Sequence, residues 1–393
     1  MQLPLPQLRE RVSARVDRWV ERLRERVPYT PGNRVELLPD GGRFFAAMEA
    51  AIAEAQHYVL VETYILRADK TGWRIARALA ARANAGVEVA LSYDGFGSLG
   101  LDKELLRFFA LNGIRSLEFA PLSLSADALP WNRRNHRKTL VVDGAIALVG
   151  GLNIADDYAA VEDGGRGWRD TGCAVRGPAV AQLEGLFRET WARLGGAALR
   201  TEPRALAPYA DGHPARFVGN FARRGRADIR RAMLSAITRA RRSIRLTNAY
   251  FTPDGRFLRA LIRAARRGVQ VEIIVAGATD VKLVLMVSRG LYGYLMSHGV
   301  RIYEWHERIL HAKTAVIDGE WVSIGSANLN ERSLALDLEA NVTVVSPELG
   351  AEMDTMFEAD RTRSRAIDPA VWRRRPAWAR LVEWFFGLFR RLM

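Results

Sequence analysis

Two stretches of this sequence combine a histidine, a lysine and an asparagine at the same spacing. The first, HRKTLVVDGAIALVGGLN, runs from His136 to Asn153, and the second, HAKTAVIDGEWVSIGSANLN, begins at His311. In each, a lysine (Lys138 or Lys313) follows the histidine by two residues. Imidazole can attack phosphorus or carry a proton near neutral pH, while ammonium and amide groups can hold the charge on phosphoryl oxygens. The pattern predicts transfer of a phosphoryl-containing group, and this chemistry requires no metal ion and no cofactor.

The two lysines stand out because the chain strongly prefers arginine. Only five of its 58 basic residues are lysine, and two of these five are Lys138 and Lys313. An ammonium is a compact charge suited to one phosphoryl oxygen, whereas arginine presents a planar fork. A surface charge would not need to be lysine at both places, so the pair indicates a tight anion pocket.

The two stretches are copies within one duplicated unit. Five pairs of identical residues are separated by the same 175 positions: His136 and His311, Lys138 and Lys313, Asp143 and Asp318, Gly150 and Gly325, Asn153 and Asn328. One position differs, since Gly151 of the first copy corresponds to Ser326 of the second, so any contribution from a hydroxyl group is one-sided. We predict that each copy supplies half of one shared site.

The hydropathy pattern around the copies predicts an α/β fold. Each copy reads as a β-hairpin whose strands meet at an Asp-Gly turn, so Asp143 and Asp318 are predicted to be structural turn residues. Upstream, strand, helix and strand follow in the same order in both halves, at 58–66, 72–84 and 87–95 and again at 243–251, 255–267 and 269–277. This order implies parallel strands. We therefore expect two pseudo-symmetric α-β-α lobes that share one active site.

The domain organisation follows from the repeat and from local composition. We predict a basic amphipathic helix in residues 1–31, a first lobe in 32–200 and a second lobe in 217–368. A segment rich in Gly, Ala and Pro, 201–216, reads as the linker between them. Residues 369–393 combine large apolar side chains with arginines and are predicted to form an amphipathic helix at a membrane interface, with a helix packed on the domain core as the alternative.

Composition favours an anionic partner. The chain has 393 residues, of which 49% are apolar, and 58 basic against 44 acidic residues give a net charge of +14. Half of this surplus lies in residues 361–393, where nine arginines face two carboxylates. The lone Cys173 excludes a disulfide framework and a cysteine-based zinc site. The N-terminus shows no signal-peptide pattern and no long apolar run is present, so we expect a soluble or peripheral protein.

The repeated pattern H-x-K-x4-D-x6-G-[GS]-x-N resembles the paired motifs of the phospholipase D superfamily. Further stretches, including GNRVELLPDGGRFFAAMEAAIAEAQHYVLVETYIL and SRGLYGYLMSHGVRIYEW, are similar to bacterial cardiolipin synthases of the short type. The resemblance implies a phosphatidyl-histidine intermediate on His136, with His311 as general acid and base. It also implies that Asp170 and Glu339 orient the two imidazoles, and we expect Glu339 to be the partner of His311.

The same resemblance implies the substrates and the location. The donor would be phosphatidylglycerol, and the acceptor a second phosphatidylglycerol or phosphatidylethanolamine, on the cytoplasmic side of the bacterial inner membrane.

Three alternatives stay open: a phospholipase D hydrolase, a nuclease or phosphodiesterase, and a scaffold with inactive motifs. Basic and aromatic residues are concentrated together at the C-terminus, and Leu, Trp and Arg occur together in 121–135. This distribution favours a lipid surface over nucleic acid, and both complete His-Lys-Asn sets argue against a scaffold.

Overall fold

The structure is a computed structural model that describes residues 27–121, 133–200, 206–221, 226–279 and 282–376. Most of the predicted N-terminal helix, the central part of the segment 121–135 and most of the predicted C-terminal helix therefore lie outside the described residues. Of the predicted linker, residues 201–205 also lie outside them.

The first lobe contains seven strands and four helices among the residues described. In chain order these are β1 (Thr30–Leu38), α1 (Gly41–Glu54), β2 (Tyr58–Thr63), α2 (Lys70–Asn84), β3 (Glu88–Asp94), α3 (Lys103–Leu111), β4 (Arg115–Phe119), β5 (Thr139–Val142), β6 (Ile146–Gly150), β7 (Gly172–Arg176) and α4 (Val180–Arg193).

The second lobe repeats this order with additions. Its elements are β8 (His213–Phe221), β9 (Arg226–Ala227), α5 (Asp228–Arg239), β10 (Ser243–Asn248), α6 (Gly255–Arg266), β11 (Gln270–Ala276), α7 (Lys282–Met296), β12 (Arg301–Trp305), β13 (Lys313–Ile317), β14 (Trp321–Gly325), α8 (Glu331–Ala335), β15 (Ala340–Val345), α9 (Pro347–Thr362), β16 (Arg365–Ala366) and α10 (Pro369–Arg373). Strand β8 begins inside the segment that composition predicts to be a linker.

The strands form one continuous sheet with internal pseudo-symmetry. In the first lobe the order is β1-β7-β6-β5-β2-β3-β4, and in the second it is β8-β15-β14-β13-β10-β11-β12, with β16 added at the edge. Strands β2, β3 and β4 are parallel, as are β10, β11 and β12, while the hairpins pair antiparallel. The halves join where β1 pairs with β8. The predicted α/β fold with two pseudo-symmetric lobes is confirmed.

The hydrophobic core has three main parts. One lies under α1, α2 and α3 of the first lobe, and a second lies under α5, α6 and α7 of the second. The third combines residues of both lobes, including Val149 of β6, Phe187 of α4, Ile324 of β14 and Met353 of α9. Because this shared core packs the two hairpins against common neighbours, it holds them in one relative position. Among the described helices, none is long and apolar enough to span a bilayer.

The Asp-Gly turns anchor the hairpins at the end away from the histidines. Asp143 and Asp318 have φ angles of 52° and 56°, and the glycines that follow also have positive φ. The Asp143 carboxylate accepts backbone N–H groups from Gln56, His57 and Tyr58 at 2.7–2.8 Å. Asp318 accepts the equivalent groups of 241–243. Both carboxylates therefore tie a hairpin turn to the start of the neighbouring strand.

Candidate active site

Both motif histidines lie just before the first strand of their hairpin, where backbone of the other lobe meets them. The backbone N–H of His136 donates to the carbonyl of Leu338 at 2.9 Å. In the second half, the N–H of His311 donates to the carbonyl of Arg169 at 2.7 Å. Each histidine is thus hydrogen-bonded to the residue that precedes a carboxylate of the opposite lobe.

This crossing brings each imidazole to an acid from the other half of the chain. Nδ1 of His136 lies 2.9 Å from Oε1 of Glu339, and Nδ1 of His311 lies 2.6 Å from Oδ2 of Asp170. The expectation that Glu339 partners His311 is therefore wrong, and the two carboxylates are exchanged. The reason is the pseudo-two-fold arrangement, in which the approach to β5 runs beside the approach to β15, and the approach to β13 beside that to β7.

The position that differs between the two copies, Gly151 or Ser326, lies next to the acid that also differs, Asp170 or Glu339. The hydroxyl of Ser326 donates to Oε2 of Glu339 and accepts the N–H of Ala340 at 3.1 Å. In the first copy, the Asp170 carboxylate lies directly against Cα of Gly151, in the space a side chain would need. Asp170 accepts a backbone N–H from Thr171 at 2.8 Å instead. The hydroxyl contact is therefore one-sided, as the sequence indicates.

Both lysines are buried behind the histidines. Nζ of Lys138 donates to the carbonyl of His136 at 2.6 Å, and Nζ of Lys313 donates to that of His311. Burial lowers the pKa of Lys138 to about 7, against the opposing effect of Glu339. Burial raises the pKa of Glu339 itself to about 7, although Lys138 favours its charged form. Without substrate, burial therefore disfavours the charged forms of Lys138 and Glu339. A bound anion would change this balance.

The environment lowers the pKa of both imidazoles and so favours their neutral forms. Burial, followed by the charges of Lys138, Lys313 and His311, holds the pKa of His136 well below its usual range. Burial and the charge of Lys313 also lower the pKa of His311, although Asp170 opposes this. Since Nδ1 of each ring faces a carboxylate, Nε2 of each is the nitrogen left for other chemistry.

The motif asparagines are buried beside the histidines. Oδ1 of Asn153 accepts the N–H of Ile65 at 2.9 Å, and its Nδ2 donates to the hydroxyl of Tyr158 at 2.6 Å. Asn328 is 2% exposed, and among the described residues its Oδ1 has no hydrogen-bond partner. Gly150 and Gly325 end β6 and β14, where a side chain would collide with the neighbouring strand.

Aromatic side chains that the sequence analysis missed surround the histidines. The ring centroid of Tyr64 lies 4.8 Å from that of His136. Around His311 the corresponding distances are 5.2 Å for Tyr158, 6.0 Å for Trp168 and 6.2 Å for Tyr250. Tyr64 and Tyr250 follow the carboxyl ends of β2 and β10, where ligands of α/β sheets commonly bind, so this position was a usable signal.

Comparison with known proteins shows the family. A profile described as "Cardiolipin synthase, PLD-like domain" matches residues 48–191 and 233–361, one segment in each lobe. The chain belongs to the cardiolipin synthase family of phospholipase D-like proteins. It is similar to a cardiolipin synthase of Geobacillus thermodenitrificans, with 33% identity over 91% of this chain and 72% of that protein. Cardiolipin synthase B of Escherichia coli is 35% identical over 80% of this chain and 76% of its own length.

A solved structure supports the same architecture. Phosphatidylserine synthase of Haemophilus influenzae superposes with a TM-score of 0.73 over 96% of this chain and 99% of its own, at 12% identity. At this identity the likeness speaks for the fold alone. As a member of the cardiolipin synthase family, the chain is a phosphatidyltransferase of the phospholipase D superfamily. The resemblance that the motifs indicate is confirmed.

Proposed function

We propose that this enzyme transfers a phosphatidyl group from phosphatidylglycerol to an alcohol through a covalent phosphohistidine. The observation that carries the proposal is the crossed pair of imidazole–carboxylate contacts, His136 with Glu339 and His311 with Asp170. Two histidines, each with Nδ1 held by a carboxylate from the other lobe, suit a reaction in which one attacks phosphorus and the other moves protons.

In the first step, Nε2 of His136 attacks the phosphorus and a P–N bond forms. The P–O bond to the leaving glycerol breaks, and His311, protonated at Nε2 when the anionic donor binds, gives its proton to the leaving oxygen. In the second step, His311 takes the proton of the acceptor hydroxyl, which attacks phosphorus and breaks the P–N bond. The two steps return both histidines to their starting states.

The assignment of His136 as the nucleophile is supported by its access and surroundings. Its side chain is 12% exposed, against 5% for His311. Its low pKa also keeps the lone pair of Nε2 available. Lys138 and Lys313, with the amides of Asn153 and Asn328, would hold the non-bridging oxygens as charge develops on them.

The acceptor is a headgroup hydroxyl of a second phosphatidylglycerol, in keeping with relatives named cardiolipin synthase. Phosphatidylethanolamine has no free hydroxyl, so as a co-substrate it would instead donate its phosphatidyl group and release ethanolamine. A phosphatidyl donor resides in a bilayer, so the enzyme works as a peripheral protein on the bacterial inner membrane, from its cytoplasmic side. The predicted interfacial helix at the C-terminus belongs to this proposal.

The test is to incubate purified protein with phosphatidylglycerol vesicles, with and without phosphatidylethanolamine, in the presence of EDTA. Formation of cardiolipin supports the transferase. Release of phosphatidic acid alone would replace it with the hydrolase, and cleavage of DNA without any reaction of lipid would contradict both.

A further inference from the structure

The second lobe carries a concentration of positive charge that the first lobe lacks. Residues 226–267, which run from β9 through α6, contain twelve arginines and two aspartates, a net charge of +10. The matching segment of the first lobe, 41–84, contains six basic and four acidic residues, a net charge of +2. Because both segments form the same helix–strand–helix unit, the fold itself does not require this charge.

Four of the twelve arginines lie along one groove on the surface of the second lobe. Helices α5 and α6 lie side by side and leave a groove of about 290 Å³ between them. It is lined by Leu234, Thr238 and Ala260 and by four arginines: Arg256, Arg259, Arg263 and Arg267. These arginines recur every three or four residues, which places them on one face of α6.

Among the residues described, the groove arginines lack carboxylate partners, in contrast to Arg74 on the matching helix of the first lobe. Within the described chain, no Asp or Glu oxygen lies within salt-bridge distance of Arg256, Arg259 or Arg263, all of which are exposed. Arg267 is held at one end by the carbonyls of Thr238 and Ala240, at 3.1 and 3.2 Å. On α2, by contrast, Arg74 pairs with Glu49 at 2.9 Å. Unpaired guanidinium groups at this density repel one another unless an anion lies between them.

We propose that this groove binds the headgroup phosphate of an anionic phospholipid in a bilayer surface. Guanidinium forks match phosphate oxygens in a bidentate manner, and the apolar side chains of Leu234 and Ala260 in the lining suit the glycerol carbons next to the phosphate. The groove lies outside the catalytic centre and would be a second place where the enzyme contacts lipid. The choice of an anionic phospholipid as its ligand rests on the proposed function. Among the residues that the structure describes, no aromatic side chain lines the groove, so this lining offers no stacking platform for bases.

The location of the groove relates it to the active site. Helix α6 follows the carboxyl end of β10, and Tyr250, whose ring faces His311, precedes Arg256 by six residues. From Arg256 the arginines extend for about 16 Å along the helix. The Arg256 end of the groove therefore lies toward the end of the lobe where His311 is found.

The experiment measures binding of the full chain to phosphatidylcholine vesicles with and without phosphatidylglycerol, by flotation. The test variant is R259Q/R263Q. The control, R43Q/R107Q, removes the same charge from exposed positions on α1 and α3. Each arginine near an anionic surface contributes roughly fivefold in affinity, so the groove variant should bind phosphatidylglycerol vesicles about 25-fold more weakly. The control should keep the affinity of the wild type.

Binding involves no turnover, so the outcomes separate the two proposals. A wild type that binds through the groove but forms no cardiolipin supports the groove and contradicts the proposed function. Undiminished vesicle binding by R259Q/R263Q, or equal weakening by both double variants, would overturn the groove. So would a groove variant that loses affinity for duplex DNA while its affinity for vesicles is unchanged.

Discussion

Gly151 is the position at which the smallest change should damage the site most. Its α-carbon lies against the Asp170 carboxylate, and a methyl group there would lie far inside van der Waals distance of both carboxylate oxygens. The backbone of Gly151 is not in the left-handed region, so G151A acts through this contact and not through strain. Asp170 would have to turn away and give up its 2.6 Å contact with His311.

The expected loss follows from that one interaction. A hydrogen bond to a charged group contributes about 1.5–3 kcal/mol, which corresponds to roughly a 10- to 100-fold decrease in kcat. The assay is the initial rate of cardiolipin formation from phosphatidylglycerol. The matched control is G185A, which adds the same methyl group on α4 where no atom lies within 4 Å, and which should keep the wild-type rate.

A double variant tests whether the effect passes through Asp170. Since G151A and D170A disrupt the same contact, G151A/D170A should be no slower than D170A alone. Wild-type turnover by G151A together with a large loss in D170A would refute the packing argument. Additive losses in the double variant would show that Gly151 acts in another way.

Three further predictions concern the turn, the buried acid and the histidines. D318A removes the acceptor of three backbone N–H groups, so it should lower the free energy of unfolding by about 3 kcal/mol in urea titrations with little change in kcat. The raised pKa of Glu339 means that the folded protein binds its proton more tightly than the unfolded chain does. Wild-type stability should therefore fall, relative to E339Q, by on the order of 3 kcal/mol as the pH rises from 5 to 8, and a constant difference would contradict the raised pKa. H136A and H311A should each reduce kcat by about 10³-fold or more, and substantial activity in either would refute a shared site.

Much of the fold could be predicted because the same sequence pattern occurs in both halves of the chain. The pattern of β2, α2 and β3 recurs in β10, α6 and β11, and the Asp-Gly turns mark both hairpins. The repeated residues also indicate the members of the site, since chance does not place two His-x-Lys pairs at one separation from their asparagines. Local periodicity and duplication were sufficient for these features.

The pairing of the acids could not be predicted in the same way. Which carboxylate faces which imidazole depends on how the two lobes pack, and a repeat describes each lobe without the other. The buried Arg137 illustrates the point, because it donates to the carbonyls of Leu186 in the first lobe and Glu339 in the second. Nothing in its position beside His136 indicates that it joins the lobes.

The arginine groove was also hidden in the sequence. Net charge drew attention to residues 361–393, whereas 226–267 has the larger surplus. Only the arrangement of α5 beside α6 shows that four of these arginines face one groove and that, among the described residues, no carboxylate lines it.

The most direct test of the central claim is to identify the covalent intermediate. Wild-type protein is mixed with phosphatidylglycerol labelled in its phosphate, quenched in alkali within one turnover, and digested for mass spectrometry. We predict a phosphatidyl group on Nε2 of His136, at up to one equivalent per chain. Label on His311 would reverse the assigned roles, and product formed in the first turnover without any labelled histidine would contradict the covalent mechanism.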